Sequence, residues 1–121
     1  MIEIIAEFGS SPASEWDFDR WCLEAFLAGA THVKVQLWHA THFPEAEWAE
    51  KTPLEFPRGR YPEFVGTAHK YGLKAGASAF DEGAAKLLRY GDFGKVALRE
   101  YNNSQLSWAI EDNVEYVYES C

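Results

Sequence analysis

Charged and polar side chains occur in several of the short apolar stretches that are predicted to form strands. Together these side chains could bind an anion. Lys34 and Lys95 supply ammonium groups and Ser78 supplies a hydroxyl, which are donors suited to a phosphate or a carboxylate. Glu7 could hold a lysine in place or transfer a proton. The simpler alternative is that Glu7 only forms a structural ion pair with Lys34.

The stretch from residue 31 to 37 predicts the strand around which the chain is organised. Lys34 and Gln36 fall on one face of it, because successive side chains of a strand point in opposite directions. The other face is apolar and consists of Val33, Val35 and Leu37. Lysine is seldom buried without a partner, so Lys34 predicts either an ion pair or a site that receives an anion.

Apolar spacing and turn residues predict four β-α repeats followed by one more strand. The predicted strands cover residues 2–7, 31–37, 74–78, 94–98 and 114–118. Helices are expected between them, and Asp81 and Asn103 are candidate N-caps for two of these. The connection from residue 38 to 60 contains three prolines and is too proline-rich for one helix, although residues 45–51 could form a short one.

This order of elements predicts an α/β fold, a partial (β/α)₈ TIM barrel with about four βα units and a fifth strand in a parallel sheet. No glycine-rich phosphate loop follows a predicted strand, which argues against a nucleotide-binding fold. A complete barrel takes about 250 residues. Residues 1–121 are therefore expected to form a single domain that contains roughly half of a barrel. Catalytic groups of such barrels come from C-terminal strand ends. The residues predicted there are Glu7, Lys34, Gln36, Ser78 and Lys95.

The overall composition limits the classes of partner. A hydrophobic content of 47% is enough for a packed core, whereas a net charge of -8 would repel a nucleic-acid backbone. The two cysteines do not form a disulfide framework, and no basic leader pattern follows Met1. No apolar run reaches the length of a membrane span. We therefore expect a cytoplasmic protein that binds neither nucleic acid nor membrane.

Four segments resemble the N-terminal half of the sialic acid synthase family. They are residues 4–9 (IIAEFG), 33–36 (VKVQ), 78–81 (SAFD) and 95–103, the last through Lys95, Glu100, Asn102 and Asn103. Their order and spacing agree along nearly the whole chain. The resemblance implies a (β/α)₈ barrel that condenses phosphoenolpyruvate with N-acetylmannosamine or a related sugar and uses a divalent metal, manganese or magnesium.

The same resemblance implies roles for individual residues. Glu7 corresponds to the catalytic glutamate of the family. Substrate contacts are implied for a second group: Lys34, Gln36, Ser78, Lys95, Asn103 and Ser120. Within that group Lys34, Ser78 and Lys95 would hold the phosphate and carboxylate of phosphoenolpyruvate, whereas Ser120 resembles only the start of a serine motif on the fifth strand.

Several positions depart from the family pattern. Ser11 and Pro12 stand where the family usually has Asn-His, and Leu98 replaces a serine that would donate to phosphate. The two metal-binding histidines of the family and its C-terminal antifreeze-like domain have no counterpart in this chain. His32 falls in the strand predicted over residues 31–37. His39 and His42 are expected in the long loop and His69 on the solvent face of a helix, rather than at a metal.

Three accounts of function remain open on these grounds. The chain could be a condensing enzyme, a half-barrel that keeps the anion site but has lost the chemistry, or a fragment of a longer synthase. An open parallel sheet would expose two edges and one apolar face, and exposed edges favour pairing with another chain. The sequence therefore predicts a homo-oligomer or a second half-barrel that completes the site.

Overall fold

The structure is a computed structural model that describes residues 2–8, 17–97 and 103–119. Within these ranges a parallel sheet has the order β1-β2-β3-β4-β5. The strands are β1 (Ile5–Glu7), β2 (His32–Leu37), β3 (Lys74–Ala79), β4 (Phe93–Val96) and β5 (Tyr116–Glu119). Because all pairs are parallel, the C-terminal ends of the strands lie at one edge of the sheet, as the sequence predicts.

Helices alternate with these strands. They are α1 (Phe18–Leu27), α2 (Trp48–Lys51), α3 (Tyr61–Lys70), α4 (Glu82–Leu87) and α5 (Ser104–Asn113). The long connection between β2 and α3 contains α2 and several 3₁₀ turns, as its prolines predict. None of the helices in the ranges above is long and apolar enough to cross a bilayer.

Side chains cap the helices where the sequence offers an acceptor. The Asp81 carboxylate accepts a 2.7 Å hydrogen bond from the Ala84 backbone, and the Asn103 side chain accepts a 3.1 Å bond from Leu106. Both predicted N-caps are thus confirmed. Such a bond satisfies one of the first backbone N–H groups of a helix, which have no partner inside it.

Most strand ends lie within one or two residues of the prediction, and backbone hydrogen bonds explain the late starts of β1 and β5. β1 begins at Ile5 rather than at residue 2, because the Ile4 N–H donates to the hydroxyl of Thr31 at 2.8 Å instead of joining the ladder. β5 begins at Tyr116 rather than at Val114, since the Val114 N–H still donates to the Ile110 carbonyl at the end of α5.

The two faces of the sheet differ in chemistry. The β2 and β3 side chains that belong to the hydrophobic core all lie on one apolar face of the sheet, and helices pack on that face. Its members include Val33, Val35, Leu37, Ala75, Ala77, Ala79, Phe64, Leu88, Leu106 and Ile110. The opposite, inner face carries polar and aromatic side chains, so the expected exposed apolar face is wrong: the helices of the chain already cover the apolar side.

Candidate anion-binding site

Strand register brings the predicted site residues onto adjacent rows of the inner face. Glu7 on β1 pairs with Lys34 on β2, which forms one row. Two positions further along, Gln36 pairs with Ser78 and Ser78 pairs with Lys95, which forms the next row. These five residues, called the strand-end cluster below, therefore converge as the sequence predicts.

Lys34 is the buried centre of the strand-end cluster. Its residue is 3% exposed, and its Nζ lies 3.2 Å from Ser78 Oγ and 3.4 Å from Glu7 Oε2. The Glu7 side chain is 39% exposed, so the amine lies one layer of side chains below solvent. This geometry supports both alternatives for Lys34, a structural ion pair and an anion site. The ion pair with Glu7 is present, and a second lysine, Lys95, lies beside Lys34.

The electrostatic surroundings of Lys34 are unfavourable for its charge. Burial is the main cause that lowers the pKa of Lys34 to about 8, because a buried ammonium loses its hydration. The Glu7 carboxylate acts to raise this pKa, and the positive charge of Lys95 acts to lower it. The single Glu7 carboxylate thus does not offset the cost of burying the Lys34 ammonium beside a second lysine. A bound anion would reduce that cost.

Gln36 and Trp38 fix the orientation of Glu7. The Gln36 amide donates a short hydrogen bond to Glu7 Oε1, and Trp38 Nε1 donates to Gln36 Oε1 at 3.3 Å. The Trp38 residue is 3% exposed, so packing holds this chain of bonds in place. Sequence reasoning missed Trp38, although the alternation of Lys34 and Gln36 continues to it.

An aromatic cluster lies beside Lys34 on the inner face. The ring of Phe93 lies 5.5 Å from that of His32 and 5.3 Å from that of Tyr118. Gly76, next to Lys34 in the register, makes room for this cluster: a Cβ there would lie 2.6 Å from Cγ of Phe93. The rings bury His32 and Phe93 to 5% and 2% exposure, so the chain fills part of the inner face with its own side chains.

A second polar cluster at the strand ends was not predicted. Both Arg58 Nη atoms donate to the Asp81 carboxylate, at 2.9 Å and 2.7 Å, and Nη2 also donates to the Leu37 carbonyl at 3.4 Å. Burial acts to raise the pKa of Asp81, but hydrogen bonds from Arg58 and from the Ala84 backbone lower it to about 2. Arg58 thereby ties the connection after β2 to the ends of β2 and β3, and a contact across 23 positions has no periodic pattern to predict it.

The remaining predicted site residues have different outcomes. Asn103 caps α5 through its side-chain oxygen, and its contact with substrate stays a prediction. Ser120, like Ser11, Pro12 and Leu98, lies outside the residues that the structure describes.

The histidines were expected away from a metal. His39 and His69 are about half exposed, and each contacts one carboxylate, that of Glu55 and Asp92 respectively. The described part of the chain holds no group of three or more His, Cys, Asp or Glu side chains arranged to bind a metal ion. In the strand-end cluster two lysines would repel a cation, so the residues in place there do not fit a divalent metal.

Comparison with solved structures places this fold among barrel synthases. The chain aligns with the N-acetylneuraminic acid (sialic acid) synthetase of Leptospira borgpetersenii serovar Hardjo-bovis with a TM-score of 0.82 and 24% identity, over 93% of this chain and 41% of that one. The partial-barrel fold predicted from the sequence is confirmed. The crystal structure of that synthetase is a complex with citrate.

Two solved structures from Thermotoga maritima, both of a 3-deoxy-D-arabino-heptulosonate 7-phosphate synthase, share the fold. A truncated 3-deoxy-D-arabino-heptulosonate 7-phosphate synthase aligns with a TM-score of 0.70 and 15% identity, over 98% of this chain and 39% of that one. A phospho-2-dehydro-3-deoxyheptonate aldolase aligns at 0.68 and 14%, over 97% and 32%. This chain thus spans well under half the length of each. No protein-family model matches the chain, and a search of curated proteins found no match.

Proposed function

We propose that the strand-end cluster binds the phosphate or carboxylate of phosphoenolpyruvate and that the chain forms the anion-binding half of a barrel that condenses this substrate with N-acetylmannosamine or a related sugar. The observation that carries the proposal is the position of Lys34, which is almost fully buried, contacts Ser78 and Glu7, and stands beside Lys95 at the strand ends. The similarity to sialic acid synthetase and to 3-deoxy-D-arabino-heptulosonate 7-phosphate synthase supports the same class of reaction.

The charges of the cluster favour an anion. Lys34 and Lys95 carry two positive charges against the single negative charge of Glu7, within a chain whose net charge is -8. A small anion between the lysines would restore the interactions that the Lys34 ammonium loses on burial. Citrate in the Leptospira synthetase is a ligand of this chemical class.

Each residue of the cluster has a defined part in the proposed reaction. Lys34, Lys95 and Ser78 donate to the phosphate or carboxylate, which positions the enol phosphate and stabilises charge that develops on it. Glu7, held by Gln36, accepts or returns a proton. Asn103 and Ser120 would add contacts to the sugar or phosphate.

A second candidate function is binding without catalysis. It is favoured by the chemistry of the cluster, whose lysines are unsuited to the divalent metal that the family resemblance implies. We assign no step to a metal for this reason. In this account the half-barrel binds the anion but does not catalyse a reaction by itself. Any catalysis would require another polypeptide.

Ligand-dependent thermal stability tests the anion site. Phosphoenolpyruvate should raise the melting temperature of the protein, and Lys34→Ala and Lys95→Ala should abolish this rise. Lys74→Ala is the matched control, because Lys74 lies on the same inner face at the opposite strand end, paired with His32. No stabilisation of the unmodified protein by phosphoenolpyruvate would overturn both functional accounts.

Turnover separates the two accounts. The protein is incubated with phosphoenolpyruvate, N-acetylmannosamine and manganese, and released phosphate is measured. Phosphate release that depends on the sugar and is lost in Glu7→Gln supports the synthase. Stabilisation by phosphoenolpyruvate without release supports the binder.

The proposal also includes a partner that completes the barrel, a second copy or another half-barrel. Large apolar side chains are exposed at both open edges of the sheet. Just before β1 they include Ile2 at 81% and Ile4 at 51%, and on β5 they include Tyr116 at 57%. Such edges favour pairing with another chain. A sedimentation experiment that finds only a folded monomer at micromolar concentration would contradict completion by a second copy.

A further inference from the structure

We propose that Lys34 is a nucleophilic amine that condenses with the carbonyl group of a small 2-oxo acid to form an imine at the strand-end cluster. This activity goes beyond anion binding, because it uses the uncharged form of the same lysine. It rests on the proposed function only in that both bring a small carboxylate to Lys95 and Ser78.

The geometry supplies the groups that imine formation requires. The amine needs a neighbouring proton acceptor, and Glu7 Oε2 lies 3.4 Å from Lys34 Nζ. It also needs a donor for the carbonyl oxygen, and the Ser78 hydroxyl lies 3.2 Å from the same nitrogen. Lys95, the register neighbour of Ser78, offers a positive charge to the carboxylate of the 2-oxo acid.

The surroundings also favour the uncharged amine. Burial and a second cation are the two features that turn a lysine into a nucleophile near neutral pH, and Lys34 has both. Its pKa of about 8 leaves about a tenth of the amine uncharged at pH 7, far more than in an ordinary lysine with a pKa of 10.5. A lysine that served only as a structural partner of Glu7 would gain nothing from this second cation.

The step balances without an oxidant or a reductant. The Nζ lone pair attacks the carbonyl carbon, a C–N bond forms as the C–O π bond opens, and Glu7 carries one proton from the nitrogen to the oxygen to give a carbinolamine. Glu7 then accepts the second proton from the nitrogen and passes it to the hydroxyl, which departs as water. The C–O bond breaks in this step, and the carbon is held to Lys34 as an imine.

Reductive trapping tests the proposal. The protein is incubated with pyruvate, treated with sodium borohydride, and analysed by intact mass and peptide mapping. One reduced pyruvyl group on Lys34 is expected, and its rate of formation should rise between pH 6 and pH 8. Lys34→Arg keeps a cation but cannot form the imine, so it should not be labelled there. Lys74→Ala should be labelled as the unmodified protein is.

The outcomes separate this proposal from the anion site. Phosphoenolpyruvate has no free carbonyl, so it should compete with pyruvate and slow the trapping. Label that is absent from Lys34, or that is spread over the exposed lysines, would overturn the imine. If phosphoenolpyruvate still stabilised the protein in that case, the anion site would stand alone. Trapping at Lys34 without any stabilisation by phosphoenolpyruvate would support the imine and count against the anion site.

Discussion

The hydroxyl of Tyr118 donates a 2.6 Å hydrogen bond to Oε2 of Glu3, which joins β5 to the residues just before β1. Four strand spacings separate these two strands, so a flat sheet would hold them about 19 Å apart. Two side chains cannot bridge that gap. The sheet is therefore curled, and the bond spans its inner face as a contact across a barrel would.

Tyr118→Phe should weaken this link without removing the ring that packs on Phe93 and His32. Because the bond is partly exposed, we expect a loss of about 0.5 kcal/mol in the free energy of unfolding, measured by urea denaturation. Tyr116→Phe in the same strand keeps the Glu3 bond and is the control. Equal stability of Tyr118→Phe and the unmodified protein would show that the curl does not depend on this bond.

Gly76→Ala should be strongly destabilising. The new Cβ would lie 2.4 Å from the carbonyl oxygen of Phe93 and 2.6 Å from its ring, so the aromatic cluster would have to move. We expect a loss of about 1–3 kcal/mol or more, as for other overpacked sites. Gly66→Ala is the control: nothing lies within 4 Å of its added Cβ, and it should stabilise α3 by about 0.5–1 kcal/mol. Urea denaturation of both variants checks the prediction, and similar stabilities would contradict it.

The sequence predicts those parts of the site that depend on local pattern. The alternation of residues 31–37 assigns Lys34 and Gln36 to one face, and parallel register then aligns Ser78 and Lys95 with them. The caps at Asp81 and Asn103 are local in the same sense, since each side chain accepts a hydrogen bond from the backbone N–H three positions later.

Contacts between distant segments could not be predicted in this way. The bond from Tyr118 to Glu3 spans 115 positions and depends on how far the sheet curls. The pairing of Arg58 with Asp81 depends on the path of an irregular connection. The pattern of β2 already predicts a buried Lys34, but the lowered pKa of Lys34 depends also on how close Lys95 of β4 comes to it, which the strand alone does not show.

Lys34→Met should change how stability depends on pH. In the unfolded chain Lys34 binds its proton up to its ordinary pKa of 10.5, whereas in the folded protein it releases the proton near pH 8. Between these values the unfolded state holds more protons, so the Lys34 contribution to the free energy of unfolding rises with pH. The variant should lack this rise and gain on the order of 1 kcal/mol at pH 7, because a charge no longer has to be buried.

Urea unfolding of the unmodified protein and Lys34→Met, measured from pH 7 to pH 10, checks this prediction. The difference between the two curves should shrink toward high pH. Loss of stability at pH 7 in the variant would mean that the ion pair with Glu7 outweighs the cost of burial. In either case Lys34→Met should abolish stabilisation by phosphoenolpyruvate.

Asp81→Asn should separate the ion pair of Asp81 from its helix cap. The amide keeps an oxygen that can accept from the Ala84 backbone but loses the charge that faces Arg58. We expect a loss of about 1 kcal/mol at pH 7, measured by urea unfolding, because a charged hydrogen-bonded pair becomes a neutral one. Asp81→Ala should lose about 1 kcal/mol more, the usual cost of an N-cap.

Acid titration shows how the contribution of the Asp81 ion pair to stability changes with pH. The pKa of Asp81 falls from 3.8 to about 2 on folding, so its stabilising contribution is full above pH 3.8 and is lost as the pH falls toward 2. Asp81→Asn should lack that part of the acid-induced loss. Asp17→Ala, which removes only the cap of α1 that bonds the Arg20 backbone, is the matched control and should keep it. An unchanged acid profile in Asp81→Asn would show that Arg58 does not hold the connection after β2 against the strand ends.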